Sequence, residues 1–454
     1  MHGALGTHGA GQECADMIAA KTTDSYCVIG AGSSGLAVAK NLQAAGIRFE
    51  VIERNDDVGG IWYYGAPTSS VYDSVRLISS KPLTQYPDYP MPVSYPHYPD
   101  HEQVWEYLRS YARHFQLYEH IQFNSSIRSA RPVDHDSAWE ITLENGETRR
   151  YRGLVIANGH NWDPYRPDLP GEFDGQILHS AQYKTPDGLR GRRVLVVGAG
   201  NSGCDIAVES AQHAAATFHS TRRGYHYLPK FLLGRPIDQC GEALLRWRLP
   251  LWLRRAISGL AVRVTLGTPG RVGLPAPDHR LFETHPIINS QLYYYLGHRQ
   301  IVPKRDVQRL CGDQVLFADG SRETVDVIIL ATGFRISFPF IEQQYLNWNN
   351  DRPDLYLNIF HPERENLFVA GMIQPDSGQW GLVDYQAQLI ARLIQLQDAG
   401  APAADRFRQR ARKARPKLSS GIHYMPTHRH LLEVEHYSYR RRLKKLIAKL
   451  GPED

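Results

Sequence analysis

The sequence predicts an α/β protein made of two three-layer, Rossmann-like dinucleotide-binding units, the second inserted in the first. Three observations carry this expectation. Two glycine-rich turns share one spacing, each closing an apolar run and opening a helical pattern. The strands that follow them end in opposite chemistry, acidic in one copy and basic in the other. A hairpin signal, an apolar strand and a small-residue turn also occur twice in succession.

At 454 residues the chain exceeds a typical single domain. Its 42% hydrophobic and 22% charged content is that of an ordinary globular protein. A net charge of +5 makes no global case for nucleic acid as a partner. The five cysteines (Cys14, Cys27, Cys204, Cys240, Cys311) are scattered, with no C-x-x-C and no zinc spacing. That pattern points to a reducing compartment and away from dithiol redox chemistry or a metal centre.

The opening residues, "MHGALGTHGAGQECADMIAA", lack a basic region followed by an apolar run, so residues 1–23 are expected to be a flexible tail rather than a signal peptide. The first nucleotide-binding unit, expected from residue 24, opens with "SYCVIGAGSSGLAVAKNLQAAGIRFEVIERN" over 25–55. Strand Tyr26–Ile29 runs into Gly30-x-Gly32-x-x-Gly35, a helix follows through Ala45, and strand Phe49–Ile52 ends at Glu53, 18 positions after the last glycine. In that context the glycines permit a tight turn, close approach of a diphosphate and close helix–strand packing. The helix N-terminus offers N–H groups and positive potential, and Glu53 suits ribose hydroxyls.

The same plan returns in "RRVLVVGAGNSGCDIAVESAQHAAATFHSTRR". Strand Val194–Val197 leads to Gly198-x-Gly200-x-x-Gly203, a helix, and a strand ending near Ser220. Where the first copy has Glu53, this one has Ser220, Thr221, Arg222 and Arg223. A carboxylate there would repel a 2′-phosphate, whereas two guanidiniums and two hydroxyls would bind one. "ENGETRRYRGLVIANG" and "ADGSRETVDVIILATG" extend the duplication. Each runs 14 positions from the Asn145-Gly146 or Asp319-Gly320 turn to Gly159 or Gly333. An acidic ribose anchor first and a basic phosphate anchor second imply FAD on the first copy and NADPH on the second. The implied chemistry is hydride transfer from nicotinamide to flavin.

Between the two copies lies "FDGQILHSAQYK", a stretch whose spacing fits neither a clean helix nor a clean strand. Its Phe173, Gly175, His179, Ser180 and Tyr183 match the fingerprint of the flavin-containing monooxygenases (class B flavoprotein monooxygenases), which the chain resembles from about residue 24 to 445. Further matching pieces are "VGGIWYYG", with Gly59, Gly60 and Trp62, then "GAGNSG", "LATGF", "ETHPIINSQLYYYLGH" and "HRHLLEVEHYSYRRRL". The resemblance implies that NADPH reduces FAD and that NADP⁺ stays bound. Reduced flavin would take up O₂ at C4a, and the distal oxygen would pass to an amine nitrogen or a sulfide sulfur. Such a site must be closed to water, and because the cofactor carries the chemistry, no acid–base pair is required.

Motifs and resemblance together assign FAD to Gly30, Gly32, Ser33, Ser34, Gly35, Glu53, Arg54, Gly60 and Trp62. NADPH is assigned to Gly198, Gly200, Asn201, Ser202, Gly203, Ser220, Thr221, Arg222, Arg223, His179, Thr332 and Gly333. His179 is read as a positioning residue at the junction, not a catalytic base. The expected division is a FAD-binding part over 24–170, an NADPH-binding part over 171–333 that includes the 173–184 linker, and a return to the first unit over 334–454.

One residue departs from the family pattern. Laying "YDSVRLISSKPLTQYPDYPMP" on it puts Ile78 where many members carry an asparagine beside the flavin, and isoleucine donates no hydrogen bond. Three readings stand open: Ser79 or Ser80 substitutes as the catalytic donor, NADP⁺ alone supplies it, or the enzyme releases peroxide as an NADPH oxidase. Ketone oxygenation of the Baeyer–Villiger type uses the same cofactors. Its fingerprint usually has Trp followed by Pro or Asp where this chain has Tyr183-Lys184.

His97, His101, His114 and His120 read as solvated or capping residues rather than ligands. The aromatic-rich "YPDYPMPVSYPHYP" suits either a substrate entrance or a rigid surface loop. The apolar stretch 243–264 is broken by arginines, among them Arg246, Arg248, Arg254 and Arg255, and by Pro250, and cannot span a bilayer. The basic segments 406–417 and 439–450 read as solvated or core-docked helix. No integral membrane anchor is expected, and the expected location is cytoplasmic. Residues 228–283 carry no readable role.

Overall fold

The computed structural model describes residues 22–451, so the expected N-terminal tail lies outside the described residues apart from its last two positions. The first sheet is built from β1 (Thr22–Ile29), β2 (Phe49–Ile52), β3 (Ile121–Gln122), β4 (Ile127–Val133), β5 (Ala138–Leu143) and β6 (Thr148–Ile156), in the order β3-β2-β1-β6-β5-β4. β1 pairs in parallel with β2 and β6, and Cys27 and Val28 at its centre have no exposed surface. A strand covered on both faces reads as a continuous apolar run, which is why this one was visible in the sequence. Helix α1 (Ser33–Ala44) crosses between β1 and β2. Helix α2 (His101–His114) opens on a capping box between Asp100 and Gln103.

The second sheet contains β7 (Gln176–His179), β8 (Arg193–Val197), β9 (Ala216–Ser220), β10 (Ile301–Lys304) and β11 (Val327–Leu330). All its pairings are parallel, in the order β10-β9-β8-β11-β7. Helix α3 (Asn201–His213) follows β8, and helices α4 (Ile237–Arg246) and α5 (Leu251–Leu266) fill the stretch that the sequence left unassigned. The chain then returns to the first sheet with β12 (Leu367–Val369), which pairs in parallel with the C-terminal half of β6. Helices α6 (Trp380–Asp398) and α7 (His436–Lys449) complete this half. The second unit is thus inserted in the first. The basic terminal helix is core-docked: Tyr439 and Leu443 are buried, and the Tyr439 hydroxyl donates to the Leu357 carbonyl at 2.7 Å.

The duplication holds in three dimensions with one difference. In the first copy, β6 is a single strand whose N-terminal half pairs with β5 and whose C-terminal half enters the parallel centre. In the second copy, that strand is split. Arg322–Thr324 belongs to a separate sheet, paired antiparallel with Gln314–Phe317, and only β11 joins the parallel one.

The stretch 173–184 also differs from a linker. Residues 176–179 form edge strand β7, with Leu178 and His179 opposite Ile329 and Leu330. Four residues are too few for a period to show in sequence, and this strand's register is set by its parallel neighbour.

Packing of α1 on α6 buries a polar network. The Lys40 ammonium, with 8% of its side chain exposed, pairs with Asp384 at 2.8 Å and Asp88 at 2.6 Å. Asp384, 1% exposed, also accepts from Asn41 and from Gln388 at 2.8 Å each. Removing one partner of such a pair strands the other charge. Asp384→Ala is therefore expected to destabilise the protein by about 3–5 kcal/mol in denaturant unfolding, and Lys40→Met/Asp384→Leu by much less.

Candidate active site

Both glycine turns are shaped by one close approach. A side chain on Gly35 would overlap the Gly30 carbonyl oxygen, and one on Gly203 would overlap the Gly198 carbonyl. Gly30 (φ 98°) and Gly198 (φ 123°) hold backbone conformations that L side chains rarely adopt. Helices α1 and α3 begin at Gly32 and Gly200, with no side-chain cap and no acidic residue in the first turn. Their first N–H groups thus face the turn without a protein acceptor from a cap, unlike α2, which Asp100 caps.

Above the first turn, between the carboxyl ends of β1, β2 and β6, lies a cleft lined by Gly30, Gly32, Ser33, Ser34, Glu53 and Arg54. Gly60 and Trp62 line it as well, whereas Gly35 packs beneath against the strand. Glu53 is 4% exposed. Its carboxylate accepts from the Ala31 N–H at 2.7 Å and the Asn55 N–H at 2.9 Å, which fixes its orientation at the rim. Each oxygen retains lone-pair capacity for ribose hydroxyls. Arg54 stacks over the Trp162 ring at 4.7 Å, and burial lowers its pKa. Trp62 meets Trp380 edge to face at 6.3 Å, walling the far end.

The sequence did not nominate Asn158, His160, Trp162, Gln379 or Trp380, which also line this cleft. The first three follow β6 directly, and ligands of open α/β sheets collect outside the carboxyl ends of strands, so "ANGHNW" was a usable signal. Burial pushes the His160 imidazole down to about 4, although its ring faces the Gly371 carbonyl, so it is neutral at pH 7. Gln379 donates to the carbonyls of Gly371 and Ile373 at 2.8 and 3.1 Å. Neighbouring Asp376 is pushed up to about 7, first by burial and then by Glu435.

At the second turn, Asn201 is engaged in structure. It accepts from Ile288 N–H at 2.8 Å and donates to the Pro286 carbonyl at 3.0 Å. Gly200 and Gly203 lie at the α3 entrance, and Ser202 occupies its first turn. Ser220 donates to the Arg305 carbonyl at 2.7 Å. The Thr221 hydroxyl is buried without a hydrogen-bond partner among the described residues. Arg222 is exposed, and Arg223 pairs with Asp278 at 2.7 Å. The Arg429 guanidinium, arriving from the C-terminal segment, lies 3.5 Å from where a Gly200 side chain would begin. Nothing local in the sequence announced it, because 229 residues separate the two positions.

Between the two turns runs the junction. His179 is fully buried, its Nε2 lies 3.0 Å from the Gly333 carbonyl, and its Nδ1 accepts from Ala181 N–H at 3.1 Å. Those partners assign the proton to Nε2, and burial lowers the ring's pKa. The Tyr165 N–H also donates to the Gly333 carbonyl, and the Thr332 hydroxyl donates to Tyr165 O. Phe334–Arg335 pairs antiparallel with Asp163–Pro164, so the two chain crossings run side by side. Tyr183 donates to Glu209 at 2.7 Å, and Lys184 donates to the carbonyls of Ser69 and Val71, both at 2.9 Å. Tyr72 donates to Asp205 at 3.3 Å across the same seam.

Ile78 is half-buried. Ser79 and Ser80 are buried and do not line the cleft. The Ser79 hydroxyl shares a 2.7 Å hydrogen bond with Thr84, and the Ser80 hydroxyl accepts from Gln239 at 3.3 Å. The four histidines read as bystanders are dispersed. His97 packs on Phe231, His101 lies by Asp73, and His114 and His120 lie on Phe115 and Phe49.

Residues 23–443 match the family model described as flavin-binding monooxygenase-like. The chain belongs to that family. It is 33% identical to "Dimethylaniline monooxygenase [N-oxide-forming] 2" of Macaca mulatta, over 81% of this chain and 72% of the relative. It is 35% identical to "Flavin-containing monooxygenase 5" of Oryctolagus cuniculus, over 80% and 71%. Its fold is similar to that of cyclohexanone monooxygenase from Rhodococcus sp. Phi1 bound to NADP⁺ (TM-score 0.70, 18% identity, 95% and 98% covered). It is also similar to that of S-allyl-L-cysteine S-oxygenase from Allium sativum (TM-score 0.64, 19% identity, 93% and 88%). The protein is a flavin-dependent monooxygenase that uses FAD and NADPH with O₂ and a small-molecule substrate. No helix among the described residues is long and apolar enough to cross a membrane.

Proposed function

We propose that this monooxygenase acts on a soft heteroatom, an amine nitrogen or sulfide sulfur, of a small molecule. FAD takes the cleft over Gly30, Gly32 and Gly60, and NADPH takes the turn at Gly198, Gly200 and Gly203. Uncapped N–H groups at both helix entrances suit diphosphates, and the rigidly held Glu53 carboxylate suits a ribose diol. Bound there, the two nucleotides supply hydride transfer and oxygen activation, consuming NADPH, O₂ and a proton and returning NADP⁺, water and oxygenated product. The chain's own part is to bind, orient and exclude water. Trp62 and Trp380 wall off the far end of the cleft. His179 keeps its Nε2 proton on the Gly333 carbonyl, so it acts as a positioning residue and not as a base.

The observation that carries the heteroatom reading is the Tyr183-Lys184 pair at the seam. Its hydroxyl and ammonium are committed to Glu209 and to two backbone carbonyls of the first unit. In the usual Baeyer–Villiger sequence, Trp followed by Pro or Asp, the residue in the place of Lys184 has no donor for those two carbonyls. The name of the Macaca relative, N-oxide-forming, points the same way. At Ile78, neither Ser79 nor Ser80 lines the cleft, and the Ser79 hydroxyl is engaged with Thr84, which favours retained NADP⁺, over a serine, as the donor beside the flavin.

The test is a product profile. Holoenzyme with NADPH and O₂ is offered a trialkylamine, a dialkyl sulfide and a cyclic ketone, and oxygenated product is measured against hydrogen peroxide. N-oxide or S-oxide in excess of peroxide is expected. Lactone alone overturns the heteroatom reading, and peroxide alone makes the protein an NADPH oxidase. A separate expectation concerns the basic strand end. Arg222→Ala/Arg223→Ala should lower the kcat/KM preference for NADPH over NADH by about tenfold or more, the scale of lost charge-assisted hydrogen bonds. Arg222→Ala alone should carry most of that loss, because Arg223 is also held by Asp278. An unchanged preference means that the 2′-phosphate lies elsewhere.

A further inference from the structure

The loop that follows β12 joins the flavin cleft to a group of acids behind it. Gly371, Gln379 and Trp380 of this loop line the cleft. Between them the chain turns to the C-terminal segment, where Gln374–Pro375 pairs in parallel with Glu433–Val434 and Asp376 accepts from the His436 N–H at 2.8 Å. That pairing brings Asp376, Glu433 and Glu435 into one site, and nucleotide binding employs none of the three.

Their surroundings give the acids different parts. Glu435, fully buried, spends one oxygen on the Tyr437 N–H at 3.1 Å and the other on the Ser438 N–H at 3.0 Å, and so caps α7. Neighbouring carboxylates disfavour one another's charge. The proton of the pair falls to Asp376, which burial and then Glu435 push up to about 7. Glu433 has no exposed side-chain surface, and neither of its oxygens receives a hydrogen bond among the described residues. It faces His285 of the second unit, whose Nδ1 lies 3.1 Å from its Oε1. Carboxylate with imidazolium and carboxylic acid with imidazole carry the same net charge. A proton can therefore change sides without altering the charge that the site buries.

Tyr424 adds a buried hydroxyl without a partner among the described residues. Burial and then the fields of Asp376, Glu433 and Glu435 keep its proton on, while Arg254 of α5 acts on it in the opposite sense. The site reaches the cleft at His160. This ring lines the cleft, its Nδ1 is buried without a partner among the described residues, and the charge of His285 acts on it, as it does on His430. His160 is neutral at pH 7 with its other nitrogen facing the Gly371 carbonyl, so it can pass on only a proton that it receives. Turnover needs one. Of the two hydrogens in product water, one enters with the hydride of NADPH and the other as a proton.

We infer that Asp376, Glu433 and His285 form a proton store shared by the two units, which supplies the flavin cleft through His160 with the proton that each turnover consumes. In each pass the Asp376 carboxyl O–H breaks, and the Glu433–His285 pair takes up that proton and releases one to the Nδ1 lone pair of His160. Asp376, left as a carboxylate, is reprotonated from water, to which it and His285 keep some exposed surface. The three are positioning residues, because they act through His160. The inference rests on FAD occupying this cleft.

The experiment follows holoenzyme and its Glu433→Gln and Asp376→Asn variants by stopped flow through anaerobic reduction by NADPH and then reoxidation by O₂. Hydride transfer takes no proton from the chain, so both variants should be reduced at the unsubstituted rate. Reoxidation should slow about tenfold or more, the scale of a lost proton transfer. In the unsubstituted enzyme, reoxidation should be fastest below about pH 7, where Asp376 holds its proton, and should fall as pH rises through that value. Asp376→Asn should lack this fall. Infrared spectra of the resting holoenzyme should show a protonated carboxyl band that titrates over the same range and is absent from Asp376→Asn. Added imidazole should restore reoxidation to His285→Ala. Equal slowing of reduction and reoxidation, or an unchanged reoxidation profile in Asp376→Asn, overturns the inference. If Glu433→Gln lacks FAD, the Asp376→Asn profile decides. Retention of FAD by Gly35→Ala would instead displace the flavin from this cleft, a failure that leaves the carboxyl band in place.

Discussion

Two backbone carbonyls, those of Gly30 and Gly198, sit where a side chain on Gly35 and Gly203 would have to begin. This contact brings each helix N-terminus against the end of its strand, and everything else about the nucleotide sites follows from it. Ala157 and Ala331, the residues after β6 and β11, close the same corner in each copy. A side chain on Gly30 would meet the Ala157 carbonyl, and one on Gly198 the Ala331 carbonyl. The repeated "ANG" and "ATG" turns are therefore the other half of the constraint. With small residues at these points, two helix entrances are left without side-chain caps, and in the proposed reading the strand ends decide which nucleotide each takes.

Two such units become one enzyme only if their sites are held in register. The chain passes between them twice, and the crossings pair with each other at Asp163–Pro164 and Phe334–Arg335. Two side chains bridge that junction, Lys184 to the backbone of the 69–71 loop and Tyr72 to Asp205, while His179 and Tyr183 are fixed within the second unit by the Gly333 carbonyl and Glu209. The family fingerprint is thus a mechanical part. It ends an edge strand of one sheet, and its Tyr183 ring packs on Tyr72 of the other unit.

Much of this was legible in the sequence because it is local. The turn spacing, Glu53, the basic strand end and the hairpin signals are contained within windows of about 30 residues, where steric and hydrogen-bonding rules act directly. What could not be read depends on distant partners. Ser220, chosen for its hydroxyl, gives that hydroxyl to Arg305, and Asn201 is consumed by the backbone of residues 286–288. Arg429 reaches Gly200 from the far end of the chain. Strand β7 was missed because its pairing with β11 sets its conformation more than its own four residues do. The apolar face of α5 was hidden for another reason. Sequence shows a mixture of Arg, Trp and Leu at helical spacing, and only the fold reveals that Arg254 points in while Trp252 and Leu260 point out.

The central claim is that the first glycine turn holds FAD and the second holds NADPH. The most direct test is the flavin absorbance of two purified variants, Gly35→Ala and Gly203→Ala, each titrated anaerobically with NADPH and then with dithionite. The account predicts that Gly35→Ala loses its FAD. It also predicts that Gly203→Ala keeps its FAD, fails to bleach with NADPH and bleaches with dithionite. Loss of FAD from Gly203→Ala with retention in Gly35→Ala, or bleaching of Gly203→Ala by NADPH at the unsubstituted rate, would contradict it.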